Sequence, residues 1–139
     1  KGGRTIFYTR NWSQPEYFRT YKKLLGRRAS APASFVTHYM LFNKKKLAGL
    51  KRTIENKHDS KWYAAILNSM DKKRSFAFSE FETYGNYVYS ADPDSCLLRP
   101  ARNKHVHRGY RSLTVPELKR YAAKYRSLSF HQRKQYSRK

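Results

Sequence analysis

Three side chains in the second half of the chain are of types that can hold a metal ion. Cys96, His105 and His107 could ligate Zn²⁺, but a structural zinc site needs a fourth ligand and commonly a closely spaced cysteine pair. Cys96 is the only cysteine, which also rules out an internal disulfide and fits a reducing, intracellular compartment. We therefore predict no metal and no other cofactor. His105 and His107 are interpreted as residues that stack on bases or contact phosphates.

The acidic side chains in the middle of the chain form one cluster. Residues 75–98 contain no Lys or Arg and four acids: Glu80, Glu82, Asp92 and Asp94. A nuclease could use carboxylates to bind metal ions, but the Asp-Pro-Asp sequence is more simply a turn. The chain also lacks a phosphate-binding glycine loop and a nucleophile–histidine arrangement. It is predicted not to be an enzyme, and the four acids are predicted to contact another protein unless their segment packs as core.

The dominant chemical property of the sequence is positive charge. Its 31 Lys and Arg against 9 Asp and Glu give a formal net charge of +22. Such a chain repels itself, so a polyanionic partner is expected, and disordered basic tails would not carry 16% aromatic residues. No apolar run approaches the roughly 20 residues that span a membrane, so a membrane is not a predicted partner. The residues predicted to bind nucleic acid are Arg27, Arg28, Lys44, Lys45, Lys46, Lys51, Arg52, Lys72, Lys73, Arg74, His105, His107, Arg108, Arg111, Arg133 and Lys134.

Charge also divides the chain into segments. Residues 1–74 carry 18 basic and 4 acidic side chains, and residues 99–139 carry 13 basic side chains and one acid, Glu117. We predict four segments: a basic N-terminal arm with a capped helix (1–28), a basic helical segment (32–74), the acidic aromatic segment (75–98), and a basic helical C-terminal segment (99–139).

The spacing of apolar residues predicts a mainly α fold, a small helical domain of several short capped helices with extended basic segments. The sequences S-Q-P-E at 13–16 and T-V-P-E at 114–117 each match a capping box with Pro in the first turn. Helices are expected to follow both, and Gly26 is expected to end the first. A last helix would begin at Ser129 and run through Tyr136.

The middle of the chain gives weaker signals. Residues 35–56 are predicted to form one helix, and Asp59 or Ser60 is expected to cap a short helix that contains Trp62. Aromatic residues alternate near 76–89 and suggest a short β element, although Ser79 followed by Glu82 would also cap a helix. Residues 91–102 are predicted to be loop because they contain two prolines.

Two separated stretches resemble an HMG box. Residues 32–42, P-A-S-F-V-T-H-Y-M-L-F, are similar to the start of that family's first helix, where a proline-led strand runs into Ser or Thr and an aromatic–apolar–apolar–aromatic cluster. Residues 125–136, Y-R-S-L-S-F-H-Q-R-K-Q-Y, are similar to its second signature, with Tyr125 where the family usually has Trp. The resemblance extends over 32–56 and 114–139. It implies one box split by an insertion at about 57–112, or parts of two boxes.

The resemblance implies a way of binding DNA. The family places the surface of its first helix in the minor groove and inserts an apolar side chain into a base step, which bends the duplex. Met40 occupies this wedge position, with Thr37 near the backbone and the lysines at 44–46 on phosphates. The alternative interpretation is that Tyr39, Met40 and Phe42 are core residues.

Three functions remain open from the sequence. The composition is similar to that of a ribosomal protein, and positive charge along almost the whole chain suits burial within RNA. The favoured prediction is a structural, rRNA-binding component of a ribosome or related ribonucleoprotein, with a mitochondrial ribosome as one candidate. One alternative is an HMG-box-like protein that bends or packages DNA in the nucleus or an organellar nucleoid. The other is a ribonucleoprotein assembly factor or scaffold whose charge is secondary.

Overall fold

The computed structural model of the protein describes residues 3–130 and confirms the mainly α class. Its helices are α1 (Pro15–Leu25), α2 (Lys44–His58), α3 (Trp62–Ser69), α4 (Glu80–Ala91) and α5 (Val115–Lys124). Its strands are β1 (Thr5–Thr9), β2 (Cys96–Pro100), β3 (Asn103–His105) and β4 (Ser127–Ser129). The chain divides into two compact units, Lys1–Pro100 and Ala101–Lys139. The predicted segments 1–28, 32–74 and 75–98 therefore all belong to the first unit.

The first unit joins four helices to a pair of parallel strands. Thr5 of β1 lies opposite Cys96 of β2, and Thr9 lies opposite Pro100. Parallel strands cannot be joined by a tight turn, and here the whole helical region connects them. The buried core draws on β1, on all four helices and on the segment before α2: Phe7, Leu24, Phe35, Leu50, Ile54, Ala65, Tyr84 and Val88.

The central element of the first unit is α4, in which six of 12 residues are buried. Phe7 packs edge-on against Phe35 and Tyr84, with ring centroids 5.1 and 6.1 Å apart. Gly85 lets Phe35 approach the helix, since a Cβ atom at position 85 would lie 2.3 Å from the Cγ atom of Phe35. The α4 backbone and the Phe35 ring are thus in direct contact.

The short β element suggested near 76–89 is wrong, because most of that stretch is α4. Ser79 caps the helix by accepting a hydrogen bond from the backbone N–H of Glu82 at 3.2 Å. The alternating aromatic pattern was misleading because α4 is packed on more than one side, so its aromatic residues do not follow one face. The predicted loop at 91–102 is partly wrong as well. Asp92 begins a short 3₁₀ turn as expected, accepting from the N–H of Ser95 at 3.2 Å, but 96–100 form β2.

The first helix begins and ends close to its predicted limits, with a different cap. Pro15 occupies the first turn, and Gly26 ends the helix with φ of 73°, as predicted. The expected capping box is wrong, because Gln14 is the N-cap and no side chain caps α1. The Gln14 amide instead donates to the Glu16 carboxylate at 2.6 Å.

The predicted helix over 35–56 starts too early. In the structure this helix is α2, and it begins at Lys44. The Asn43 side chain caps it by accepting from the N–H groups of Lys45 and Lys46 at 3.0 and 3.1 Å. Residues 34–42 stay irregular because the segment is held by contacts to α4. For α3 the predicted cap is also wrong. Asp59 ends α2 with φ of 46°, and Glu55 accepts the N–H of Trp62 at 3.2 Å.

The second unit is a small β–α–β arrangement. Strands β3 and β4 pair in parallel, with Asn103 opposite Ser127, and α5 connects them. The predicted capping box of α5 is confirmed: the Thr114 side chain accepts from the Glu117 N–H, and the Glu117 side chain accepts from the Thr114 N–H. Ser129 does not begin a helix, because it lies in β4. The remainder of the predicted last helix, from 131, lies outside the described residues.

Replacing Gly85 with Ala is expected to destabilise the first unit, although Ala normally favours a helix over Gly by up to about 1 kcal/mol. The added methyl group would overlap Phe35, and overpacking of this kind costs about 1–3 kcal/mol. Gly49→Ala in α2 is the control, since only the Tyr87 hydroxyl approaches there, at 3.1 Å. Urea unfolding of both variants measures the difference. Equal stability of Gly85→Ala and the unmodified protein would contradict the packing.

Candidate nucleic-acid interface

Glu82 is not part of an acidic contact surface, which corrects its prediction as a protein-contact residue. Its side chain is 1% exposed. One carboxylate oxygen accepts from the Ser34 hydroxyl at 2.7 Å and the Phe35 N–H at 3.2 Å, and the other from the Asn86 amide at 2.9 Å. The contacts that Glu82 makes are therefore inside the first unit. Glu80, Asp92 and Asp94 are exposed, and their role as protein contacts stays a prediction.

Burial raises the pKa of the Glu82 carboxyl above its ordinary value, although its hydrogen bonds act in the opposite direction. Desolvation disfavours the charged form. The folded state therefore binds the Glu82 proton more tightly than the unfolded state does. This contribution to stability is fully present below the unfolded pKa, and it is lost as pH rises through the folded pKa.

Several basic clusters of the first unit reach the solvent. Arg27 and Arg28 are exposed in the loop after α1, as are Lys44 and Lys45 at the start of α2 and Arg52 further along that helix. These residues lie where phosphate groups could contact them.

Two of the lysines predicted to contact phosphates also make contacts within the protein. The Lys46 ammonium donates to the Thr5 hydroxyl at 3.2 Å, and the Lys51 ammonium lies 4.4 Å from the centroid of the Trp62 ring. Lys46 and Lys51 therefore also hold α2 against β1 and α3, and no pattern of neighbouring residues predicts these contacts.

A third basic cluster follows α3. Lys72, Lys73 and Arg74 are all exposed. The Asp71 carboxylate accepts from the Lys73 N–H at 3.0 Å and lies 3.9 Å from the Arg74 guanidinium. An exposed ion pair of this kind contributes little to stability, so Arg74 remains available to an anionic partner.

The first turn of α2 carries three lysines and no acid. The amino end of a helix is the positive end of its dipole, so cations there are unfavourable and anions are favoured. Backbone N–H groups at such an end also attract phosphate. The lysines at 44–46 thus reduce the stability of α2 while raising the attraction of this helix end for anions.

In the second unit, aromatic and basic side chains gather at one edge. The carboxyl ends of parallel strands lie at the same edge of a sheet. There, residues 106–114 follow β3, and Phe130 follows β4. The rings of Tyr110 and Phe130 lie 6.4 Å apart at 74°, and those of His105 and His107 lie 4.4 Å apart. We call residues 105–114 together with Phe130 the carboxyl edge.

Hydrogen bonds hold the loop of the carboxyl edge. The Ser112 hydroxyl and N–H both donate to the Gly109 carbonyl, at 2.7 and 3.1 Å. The Arg108 guanidinium donates to the Glu117 carboxylate, which ties the loop to α5. The Thr114 N–H and Arg108 lower the pKa of Glu117 to about 2. Glu117 is therefore ionised and engaged with Arg108, so Arg108 is only partly available to phosphates.

Sequence reasoning did not assign Tyr110 and Phe130 to the site. Tyr110 stands between Gly109 and Arg111, and the Arg111 guanidinium lies 5.7 Å from the centroid of its ring. A tyrosine within the basic sequence R-G-Y-R was the available signal for Tyr110. For Phe130 the sequence held no signal, because its place depends on β4 pairing with β3.

The first unit also has a ring pair, in which Trp12 is exposed and Tyr17 is half-buried. Trp12 packs against Tyr17, with centroids 6.2 Å apart, and the Arg10 guanidinium lies 5.3 Å from the Trp12 ring. Burial raises the pKa of Tyr17, and the nearby carboxylates of Glu80 and Glu16 raise it further. The negative charge near Tyr17 makes this pair less suited to an RNA strand than the carboxyl edge.

The other predicted site residues fall in different environments. Met40 is half-buried in an irregular segment and packs against the core, four residues before α2 begins, so its role as a base wedge stays a prediction. Arg133 and Lys134 lie outside the described residues. Within residues 3–130 no three potential metal ligands come together, and no helix is both long and apolar enough to cross a membrane.

A concave surface of the second unit lies along α5 and the start of β4. A groove of about 480 Å³ is lined by residues of α5 and β4 and by the two residues between them: Leu118, Tyr121, Ala122, Tyr125, Arg126, Ser127 and Leu128. Tyr121 and Tyr125 line it with ring centroids 6.2 Å apart. Both tyrosines are half-buried.

No protein-family model, no curated protein and no solved structure matches the chain. The resemblance to an HMG box accordingly depends on the quoted residues alone.

Lys45→Glu is expected to stabilise the protein by about 0.3–1 kcal/mol at low ionic strength, because an acid replaces a base at the positive end of the α2 dipole. The control is Arg52→Glu, which makes the same charge change at an exposed position in the middle of α2 and should stabilise less. Thermal unfolding tests this expectation, and an Arg52→Glu variant as stable as Lys45→Glu would contradict it.

Glu82→Gln should change how stability depends on pH. Gln cannot ionise, so the free energy of unfolding of the unmodified protein relative to this variant should fall as pH rises above about 4.3, the ordinary Glu value. Glu80→Gln, on the exposed side of the same helix, controls for the loss of one negative charge. Denaturant unfolding between pH 4 and 8 measures the difference. Parallel pH profiles would show that burial does not raise the Glu82 pKa.

Proposed function

We propose that this protein is a non-enzymatic, RNA-binding structural component of a ribonucleoprotein particle, of which a ribosome is the leading candidate. The observation that carries the proposal is positive charge that the protein cannot neutralise by itself. Nine acids cannot pair with 31 Lys and Arg, and two of the acids, Glu82 and Glu117, are engaged internally. Most of the basic side chains therefore need anions from outside the chain.

The distribution of these cations supports RNA as the source of the anions. Exposed basic clusters occur after α1, at the start of α2, after α3 and on the carboxyl edge of the second unit. A protein that binds one face of a duplex needs a single basic surface, whereas folded RNA can surround a chain and contact it at separate places. Contacts to phosphates on both units suit a protein embedded in RNA.

The DNA-bending alternative has less support. It needs Met40 on the exposed surface of a helix, and Met40 instead lies in an irregular segment against the core. The carboxyl edge, in contrast, offers rings beside arginines. Aromatic and guanidinium groups of this kind commonly contact the unpaired bases of RNA.

The proposal predicts that the native protein sediments from a cell extract with a large particle, and that RNase releases it. Moderate salt should be used, because phosphate contacts weaken steeply as salt rises. DNase serves as the matched control and should have no effect. A particle that DNase disperses instead would favour the DNA-bending alternative, and sedimentation unaffected by either enzyme would favour a protein scaffold.

A further inference from the structure

Two exposed aromatic rings of the second unit meet at the carboxyl edge. Tyr110 is 64% exposed and Phe130 is 37% exposed. Isolated exposed hydrophobic residues are common and need no explanation. These two rings are not isolated. Tyr110 follows β3 and Phe130 follows β4, and the rings contact each other at the edge where parallel sheets usually bind ligands.

The Tyr110 ring is held in place before any ligand binds. Tyr110 begins a 3₁₀ turn in which the N–H and hydroxyl groups of Ser112 donate to the Gly109 carbonyl. The Leu113 N–H donates to the Tyr110 carbonyl at 3.2 Å. The Arg111 guanidinium donates to the Tyr110 hydroxyl at 3.1 Å. A ring fixed in this way loses little conformational freedom on binding, which favours affinity.

The charge around the rings selects an anionic ligand. Residues 101–130 contain eight basic side chains and one acid, Glu117, which is engaged by Arg108 and Thr114. Arg111 lies beside the Tyr110 ring, 5.7 Å from its centroid to the guanidinium carbon. An apolar protein surface docking here would have to bury Arg108 and Arg111, whereas a nucleotide offers them phosphate oxygens.

We propose that Tyr110 and Phe130 form a stacking site for an unpaired base of single-stranded RNA, with Arg111 contacting the adjacent phosphate. This inference rests on the proposed RNA-binding function and adds the kind of RNA and the place where it binds. Stacking accepts any base because every base has a π face. A paired base cannot reach the ring, since its faces are covered by its neighbours in the duplex. The site therefore distinguishes unpaired RNA from duplex RNA without reading sequence.

The test compares three variants of the full chain by fluorescence anisotropy on a ten-nucleotide oligo(U) RNA and on a duplex RNA of mixed sequence. Tyr110→Ala should weaken binding of oligo(U) by about 5- to 150-fold, the loss expected for one stacked base. Tyr110→Phe keeps the ring and should stay within about twofold of the unmodified protein. Tyr63→Ala removes another exposed ring, from the first unit, which is 54% exposed against 64% for Tyr110, and should have no effect.

Two further measurements separate stacking from other causes. Tyr110→Ala should leave duplex affinity and the salt dependence of binding unchanged, because no phosphate contact is removed. Its circular dichroism spectrum and melting temperature should match those of the unmodified protein, since the side chain is mostly exposed. Phe130→Ala provides an independent variant, and it should also weaken oligo(U) binding while leaving duplex binding unchanged.

The outcomes distinguish this inference from the proposed function. If the unmodified protein binds RNA with a steep salt dependence but Tyr110→Ala binds oligo(U) equally well, the stacking site is wrong and the proposed function stands. If the unmodified protein binds neither RNA at low salt, both are wrong. If Tyr110→Ala binds oligo(U) normally yet no longer sediments with the particle, the edge contacts a protein and the stacking site is again wrong.

Discussion

The arrangement of the first unit depends on one buried carboxylate. Glu82 would be costly to bury without partners, and the Ser34 hydroxyl, the Phe35 N–H and the Asn86 amide all donate to it. The backbone of Ser34 is also paired with that of Arg10 through two hydrogen bonds, of 3.0 and 3.2 Å. Through these contacts the first turn of α4 fixes the segment before α2 and the chain leaving β1. The Phe35 ring then takes its place against Gly85.

The same carboxylate affects how charge is distributed over the protein. Because the chain has only 9 acids, each acidic side chain that is buried leaves the protein surface with a more positive net charge. The lysines at the start of α2 act in the same direction, since they stand where the helix dipole disfavours them. These lysines lower the stability of the folded protein and at the same time strengthen its attraction for anions. A protein that works inside RNA regains that stability from its partner, because binding to the folded state shifts the folding equilibrium.

Most predictions from neighbouring residues were correct, apart from the caps expected at Ser13 and at Asp59 or Ser60, whereas predictions failed where distant residues decide. Pro15, Gly26 and the pairing of Thr114 with Glu117 are local signals, and each acts as expected in the structure. The early start assigned to α2 failed because contacts to α4 hold 34–42 out of the helix. The strands at 96–100 and 127–129 were missed because each pairs with a strand far away in the sequence. Of the candidate site, the basic clusters were visible from composition, whereas the meeting of Tyr110 with Phe130 required the fold.

The pairing of β1 with β2 has a consequence for how the chain acquires its structure. Thr5 meets Cys96, about 90 positions later, so the first unit has contacts of high sequence separation. Closing so long a loop is entropically unfavourable, and folds that depend on such contacts form slowly. During synthesis, β1 is made early and lacks its partner strand until residues 96–100 have been made. Until then the edge of β1 is unpaired and open to chaperones or to aggregation.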